Sequence, residues 1–373
     1  MREFSKENIF NEEMIEALAG RVATAYPEFA SEAFARAALD GLEPLELKAR
    51  SEHIRDALRA HLPQDPEEAI ALLVASMFAE EDDGTGGVEG MGGFRHMPAL
   101  DFVPTYGLEN PEHSLDAIEK MTLYFSAEFA IRPFIRAHPE VTMSRMLAWA
   151  EDRDWRLRRL ASEGSRPRLP WAKQLQAFVK DPSPTIEILD LLYDDTNLVV
   201  RRSAANHLND ISRDNPEVAL DVAQRWMDGA SKEAAWTVKH AMRTLVKKGN
   251  PDALAMLGFS GGDAVEIEDF SLEPLEVKLG DDATFSFTLT SEEEDNVALI
   301  VDYALHRALK NGKVGRKVFK LGKVELEPGK QSSFSKTHSF KQLSTRTYYA
   351  GEHKIEVLLN GRAAGIWSFE VVE

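Results

Sequence analysis

The chain has no cysteine among its 373 residues. That excludes a disulfide framework, a thiolate metal site and a cysteine nucleophile, and it suits a reducing cytosol. Long apolar runs are missing too. The longest, Ala69–Ala79 (AIALLVASMFA), is too short to span a bilayer, so no membrane association is expected. The opening MREFSKENIF lacks the apolar stretch of a secretory signal, and a cytoplasmic location is the expectation. Histidines are present, but no H-x-x-x-H pair stands beside a matching acid, so neither a metal nor another cofactor is expected.

Basic residues are outnumbered: the formal net charge is −18. Taken as a whole, that disfavours nucleic acid, but the charge is unevenly spread. Residues 1–150 carry 13 basic and 27 acidic residues, whereas residues 151–260 carry 17 and 16. Residues 261–302 carry 1 and 13, and residues 303–373 carry 13 and 6. Electrostatic screening acts over about 8 Å at physiological salt, so a phosphate responds to the local charge. From Arg153 to Lys173 there are seven basic residues and two acidic ones. Such a stretch can be a solvated helix face or a basic groove on an acidic body.

From residue 7 to about 258 the apolar residues recur at helical spacing, as in Ile9, Met14, Ile15, Leu18 and Val22. Prolines at helix-starting positions (Pro66, Pro111, Pro139, Pro216, Pro251) divide the region into short helices. Arg158-Arg159-Leu160-Ala161 recurs as Arg201-Arg202-Ser203-Ala204 at a spacing of 43, and Arg202-Ser203-Ala204 meets Lys239-His240-Ala241 at a spacing of 37. Periods near 40 are those of HEAT-like helical pairs, which stack into a curved solenoid. The glycine-rich stretch Asp82–Met97 suggests a phosphate loop only superficially. No Lys-Ser or Lys-Thr follows it, and it is read as a flexible connection. After Gly258 the period changes to two. Seven strands are expected, at Val265–Phe270, Thr284–Leu289, Ala298–Leu305, Val314–Leu326, Ser333–Phe340, His353–Leu359 and Gly365–Val371. The expected fold is therefore multidomain: an all-α HEAT-like repeat solenoid over 1–258, a linker over 259–264, and an all-β immunoglobulin-like sandwich over 265–373.

The most unusual segment is Trp155–Trp171, WRLRRLASEGSRPRLPW, with five arginines and two tryptophans. Arginine forks suit phosphate, and aromatic rings interleaved with them suit stacking on nucleic acid. Arg159, Arg166, Arg168, Arg201 and Arg202 are the phosphate candidates. A second basic run, Arg307–Lys323, holds seven basic residues and no acid and is a further candidate for contact with DNA. Trp155, Trp226 and Trp236 are read as packing residues.

The string E-G-x-R-P-R-L-P-W over Glu163–Trp171 resembles the bacterial AlkC-type DNA alkylation repair glycosylases, relatives of the AlkD type. The resemblance extends to Ser126–Phe134, to Val200–Ile211 and to the trailing β-sandwich. It implies an active-site group of Glu128, Glu163, Trp171 and Asp210. It further implies a monofunctional DNA glycosylase of base excision repair acting on double-stranded alkylated DNA. The implied substrates are cationic bases, chiefly 3-methyladenine with 3-methylcytosine also accepted, each attacked while still stacked.

The chemistry is coherent apart from the family. Alkylation of a ring nitrogen makes the base a cationic leaving group, so stabilising an oxocarbenium-like sugar and positioning water remain, and carboxylates do both. At the 43-residue offset Glu163 meets Asn206, and Asp210 lies one turn beyond, so the two carboxylates are expected in one groove. Structural alternatives stand beside each role: a Glu128–Arg132 pair, an Arg159–Glu163 pair, an Asp210–Arg213 pair, and a core position for Trp171. Two other functions are compatible with the sequence, a HEAT-repeat scaffold for a protein partner and a non-catalytic DNA-binding relative. Nothing requires more than a monomer.

Overall fold

The computed structural model describes residues 6–78, 91–259, 261–262, 264–310, 312–342 and 347–373. It divides into two compact units, 1–241 and 242–373. The first is helical: α1 (Lys6–Ile9), α2 (Glu12–Ala25), α3 (Ser31–Leu39), α4 (Leu47–His61), α5 (Pro66–Phe78), α6 (Met97–Tyr106), α7 (Pro111–Met121), α8 (Ile131–Ala137), α9 (Pro139–Ala150), α10 (Trp155–Gly164), α11 (Gln176–Lys180), α12 (Ser183–Leu192), α13 (Leu198–Asp214), α14 (Pro216–Met227) and α15 (Lys232–Ala241). Of the glycine-rich stretch, residues 82–90 lie outside the described residues. Met91–His96 is not an irregular connection but a 3₁₀ turn leading into α6.

Local chemistry sets these boundaries. Proline occupies the first turn of α7, α9 and α14, where its missing N–H removes no helical hydrogen bond. Asp154 caps α10 and Asn197 caps α13, each accepting from the backbone N–H two residues on. The 43-residue repeat is visible in the contacts. Arg158 donates to the carbonyls of Asp152 and Arg153 (3.0 and 2.9 Å), and Arg201 donates to those of Asp195 and Thr196 (2.5 and 3.0 Å). Arg158 also grips Asp195 of the next repeat at 2.5 and 3.0 Å. As the repeat implies, α13 packs against both α10 and α15. Among the described residues no helix is long and apolar enough to cross a membrane.

The second unit begins with α16 (Arg243–Lys247) and α17 (Pro251–Met256), which cluster with the strands rather than with the preceding helices. Its strands are β1 (Val265–Glu273), β2 (Glu276–Lys278), β3 (Asp282–Ser291), β4 (Val297–Ala308), β5 (Val314–Leu326), β6 (Gln331–Ser339), β7 (Gly351–Leu359) and β8 (Arg362–Val372). They form a sheet in the order β1-β3-β6 and another in the order β2-β8-β7-β4-β5. Their buried residues, including Phe285, Phe287, Leu299, Tyr303, Val357 and Phe369, form one core, as alternation predicts. Sequence reasoning missed β2. Its three residues are too short to show a period, yet Val277 is fully buried and the strand pairs in parallel with β8.

The turn after α16 meets the β7–β8 turn backbone to backbone. A Cβ on Gly361, which has φ +76°, would lie 2.3 Å from Gly249 Cα. Gly361→Ala is therefore expected to destabilise the full chain by about 2–4 kcal/mol, from the left-handed backbone plus overpacking. Denaturant unfolding of the two proteins checks this, and equal midpoints would contradict the packing.

Candidate active site

Glu163 sits in the last turn of α10 and is buried. A buried carboxylate needs compensation. Arg166 Nη1 donates to its Oε1 at 2.6 Å, and Ser203 Oγ on α13 donates to its Oε2 at 2.6 Å. Arg166 Nε reaches in turn to Asp210 Oδ2 at 2.9 Å. One guanidinium thus joins two carboxylates from adjacent helices. Burial opposes the charge of Arg166, but Glu163 and Asp210 outweigh it and raise its pKa. Burial raises the pKa of Asp210, against the opposing pull of Arg166.

Glu128 lies just before α8 and is half-buried. Arg159 Nη2 contacts its Oε2 at 2.9 Å, Ser126 Oγ donates to the same oxygen at 2.9 Å, and Arg159 Nη1 donates to Ser126 Oγ at 2.6 Å. Arg132, one turn further on, is buried at 2% exposure. It donates to the carbonyls of Gly164, Arg166 and Lys173 at 2.9, 2.8 and 2.8 Å. Burial, with Arg136 and Arg166 nearby, lowers its pKa to about 10. The segment it brackets carries Trp171, which is 64% exposed and has φ +63°. Lys48 of α4 donates to the Trp171 carbonyl.

The structure thus links Glu163 to Asp210 through Arg166, and Glu128 to Arg159. It sets aside the local pairings that helical spacing allowed. Glu128 pairs with Arg159 rather than Arg132, Glu163 with Arg166 rather than Arg159, and Asp210 with Arg166 rather than hydrogen-bonding Arg213. Trp171 is not a core residue. Asn206, the repeat equivalent of Glu163, bonds His240 at 3.2 Å instead. Of the phosphate candidates, Arg166 is 7% exposed and bonds both carboxylates. Arg168 pairs with Asp214 at 2.6 Å, Arg201 lies 5.7 Å from the Trp236 ring centroid, and Arg202 is exposed. In the second unit, Arg316 bonds Glu356 at 2.8 Å, and Lys323 lies over Phe259 at 4.2 Å.

Sequence reasoning missed Lys48, Arg132, Ser203 and His207 as parts of the site. Ser203, His207 and Asp210 follow i, i+4, i+7 on α13 and so share a face, a signal present in the sequence. His207 is fully buried, with Nδ1 2.9 Å from the Ser162 carbonyl. Burial, and then Arg166, lowers its pKa to about 3. Lys48 could not have been found, being 123 residues from its partner.

The chain thus has a helical-repeat body with two buried carboxylates linked by Arg166 and an exposed indole in the loop that follows, and then an immunoglobulin-like module. The comparisons narrow it. Residues 266–373 match the family model described as "Uncharacterised protein YhaZ, C-terminal Ig-like domain". The chain is 36% identical over 366 residues to uncharacterized protein YhaZ of Bacillus subtilis (strain 168), covering 98% of this chain and 99% of that protein. Its fold matches that of the Pseudomonas fluorescens alkylpurine DNA glycosylase AlkC, solved bound to DNA containing an abasic site analog. The TM-score is 0.89 at 35% identity, over 99% of each chain. The chain belongs to the AlkC-type family.

Two outcomes follow from this geometry. An unfolded histidine takes up a proton near pH 6.5 and the folded His207 only near 3, so the unfolded state binds more protons between those values. His207 therefore withdraws stability as pH falls below about 6.5, by up to about 1.4 kcal/mol per pH unit. His207→Gln should flatten the acid limb in denaturant melts at pH 7 and pH 5, and an unchanged slope would refute the assignment. Secondly, Trp171→Gly should raise stability by about 1–2 kcal/mol, because glycine adopts the left-handed backbone freely and an exposed indole loses little packing. A lowered melting temperature would show that the indole holds the loop.

Proposed function

We propose that this chain is an alkylpurine DNA glycosylase. It hydrolyses the N-glycosidic bond of cationic N3-alkylated bases, 3-methyladenine and also 3-methylcytosine, in double-stranded DNA without flipping the base, and it leaves an abasic site for base excision repair. The observation that carries the reading is the pair of buried carboxylates, Glu163 and Asp210, held together by Arg166 in a member of the AlkC-type family.

The cationic base leaves with the bonding electron pair and becomes neutral, so it needs little acid assistance. Positive charge moves to the deoxyribose, where a fixed carboxylate stabilises it. The second carboxylate orients a water, whose oxygen bonds to the anomeric carbon while its proton passes to that carboxylate or to solvent. Trp171 offers its ring face to the departing cation, worth about 0.5–2 kcal/mol. Glu163, Asp210 and Glu128 supply the carboxylates. In the first unit Arg159, Arg168, Arg201 and Arg202 are the cations offered to phosphate, and in the second the run Arg307–Lys323 offers its own. The reaction requires no cofactor, the enzyme acts in the cytoplasm, and a monomer suffices.

Glu163→Gln keeps the shape of the site and removes its charge. Excision of 3-methyladenine from methylated duplex, read by chromatography of released bases, should fall about 10²–10³-fold while binding to abasic-analogue DNA persists. Undiminished release would remove Glu163 from the mechanism, and no release by the unaltered protein would overturn the activity.

A further inference from the structure

The Trp171 indole is 64% exposed and its backbone is in the left-handed region. For a bulky residue that conformation costs about 1–3 kcal/mol and persists only where surrounding contacts over-determine it. With the side chain outside the core, those contacts must act on the main chain, and the structure supplies them. Arg132 holds the carbonyls of Gly164, Arg166 and Lys173, on both sides of Trp171, and Lys48 holds the carbonyl of Trp171 itself. Two backbone bonds complete the loop, from Ala172 N–H to the Leu169 carbonyl (3.2 Å) and from Leu175 N–H to the Pro167 carbonyl (3.1 Å).

Lys48 is itself held. Its ammonium lies 5.1 Å from the centroid of the Phe129 ring, next in sequence to Glu128. It therefore ties α4 to the segment carrying Glu128 and to the loop carrying Trp171. Hydrogen bonds from charged donors are about twice as strong as neutral ones, and these point along the backbone that fixes the indole.

The geometry points to Lys48 and Arg132 as positioning residues for excision, acting through the Trp171 loop rather than by touching DNA. This rests on the glycosylase reading above. Lys48 is the sharper test because it is exposed, so its replacement leaves the core intact. A surface lysine beside a DNA site has an obvious other use, a phosphate contact, and the two roles separate experimentally. A phosphate contact sets affinity and its salt dependence, whereas a positioning contact sets turnover.

The experiment uses the full chain labelled with 5-fluorotryptophan, with the Trp171 ¹⁹F resonance assigned by Trp171→Phe. Lys48→Met should move that resonance and lower kcat on methylated duplex about 10- to 100-fold, the scale of a small misplacement in a site. KM and affinity for abasic-analogue DNA should stay within about twofold, with the salt dependence unchanged. Lys48→Arg, which still donates to a carbonyl, should restore most of the turnover. Arg132→Lys, which cannot reach three carbonyls, should move the same resonance. The proposal is overturned if Lys48→Met leaves kcat unchanged, whether or not the resonance moves, or if the loss appears in KM together with a shallower salt dependence. Should the unaltered protein release no alkylated base, the glycosylase reading falls, and the resonance alone decides whether the two cations hold the loop.

Discussion

The guanidinium of Arg166 between Glu163 and Asp210 is the contact on which the site depends. Two carboxylates on neighbouring helices, both buried, repel one another and lack solvent. Without a cation between them, one would take up a proton or the helices would part. A lysine could satisfy one oxygen well but not two in fixed directions, whereas the planar fork of arginine bonds each acid through a different nitrogen. The ion chain is thus also a structural strut between α10 and α13, and Ser203 adds a second tie from α13 to Glu163.

The repeat explains why such a strut can form. Asp154 and Asn197 start their helices in the same way, and Arg158 and Arg201 grip equivalent carbonyls, so α10 and α13 present equivalent faces. Chemistry enters where equivalent positions differ. Glu163 faces an arginine from its own C-terminal loop, while Asn206 one repeat on turns to His240. A regular scaffold fixes the geometry, and a few unlike side chains at like positions make one groove position acidic and the next neutral.

Much of this was legible in the sequence. The change from helical to alternating period marks the passage to strands, and the arginine- and tryptophan-rich run Trp155–Trp171 stands out by its composition, whereas Glu128 and Asp210 entered only through the family resemblance and the repeat offset. The charge partners were not legible. Spacing within a helix favours i, i+4 pairs such as Glu128–Arg132, but a buried guanidinium goes where unsatisfied acceptors are, and for Arg132 these were backbone carbonyls at the end of α10 and in the loop beyond. The same cause draws Arg166, whose loop position suggested solvent and phosphate, to Glu163 and Asp210. Strand β2 escaped because three residues cannot display alternation. Nor does any helical pattern announce that α16 and α17 group with the strands, where Gly249 and Gly361 come into close backbone contact.

Most cations around the site are already held by partners within the chain. Arg166 is committed to two acids, Arg159 to Glu128, Arg168 to Asp214, and Arg132 to three carbonyls. The charge of the three acid-paired arginines is largely balanced where it stands, so it lends little to indiscriminate attraction of phosphate, and the acidic remainder of the chain lends none. Within the glycosylase reading this arrangement has a consequence for selectivity. A neutral base gains little from carboxylates already satisfied by guanidinium, whereas the charge that develops on the sugar as a cationic base departs meets a field oriented beforehand. Discrimination then rests on the bond-breaking step more than on initial binding.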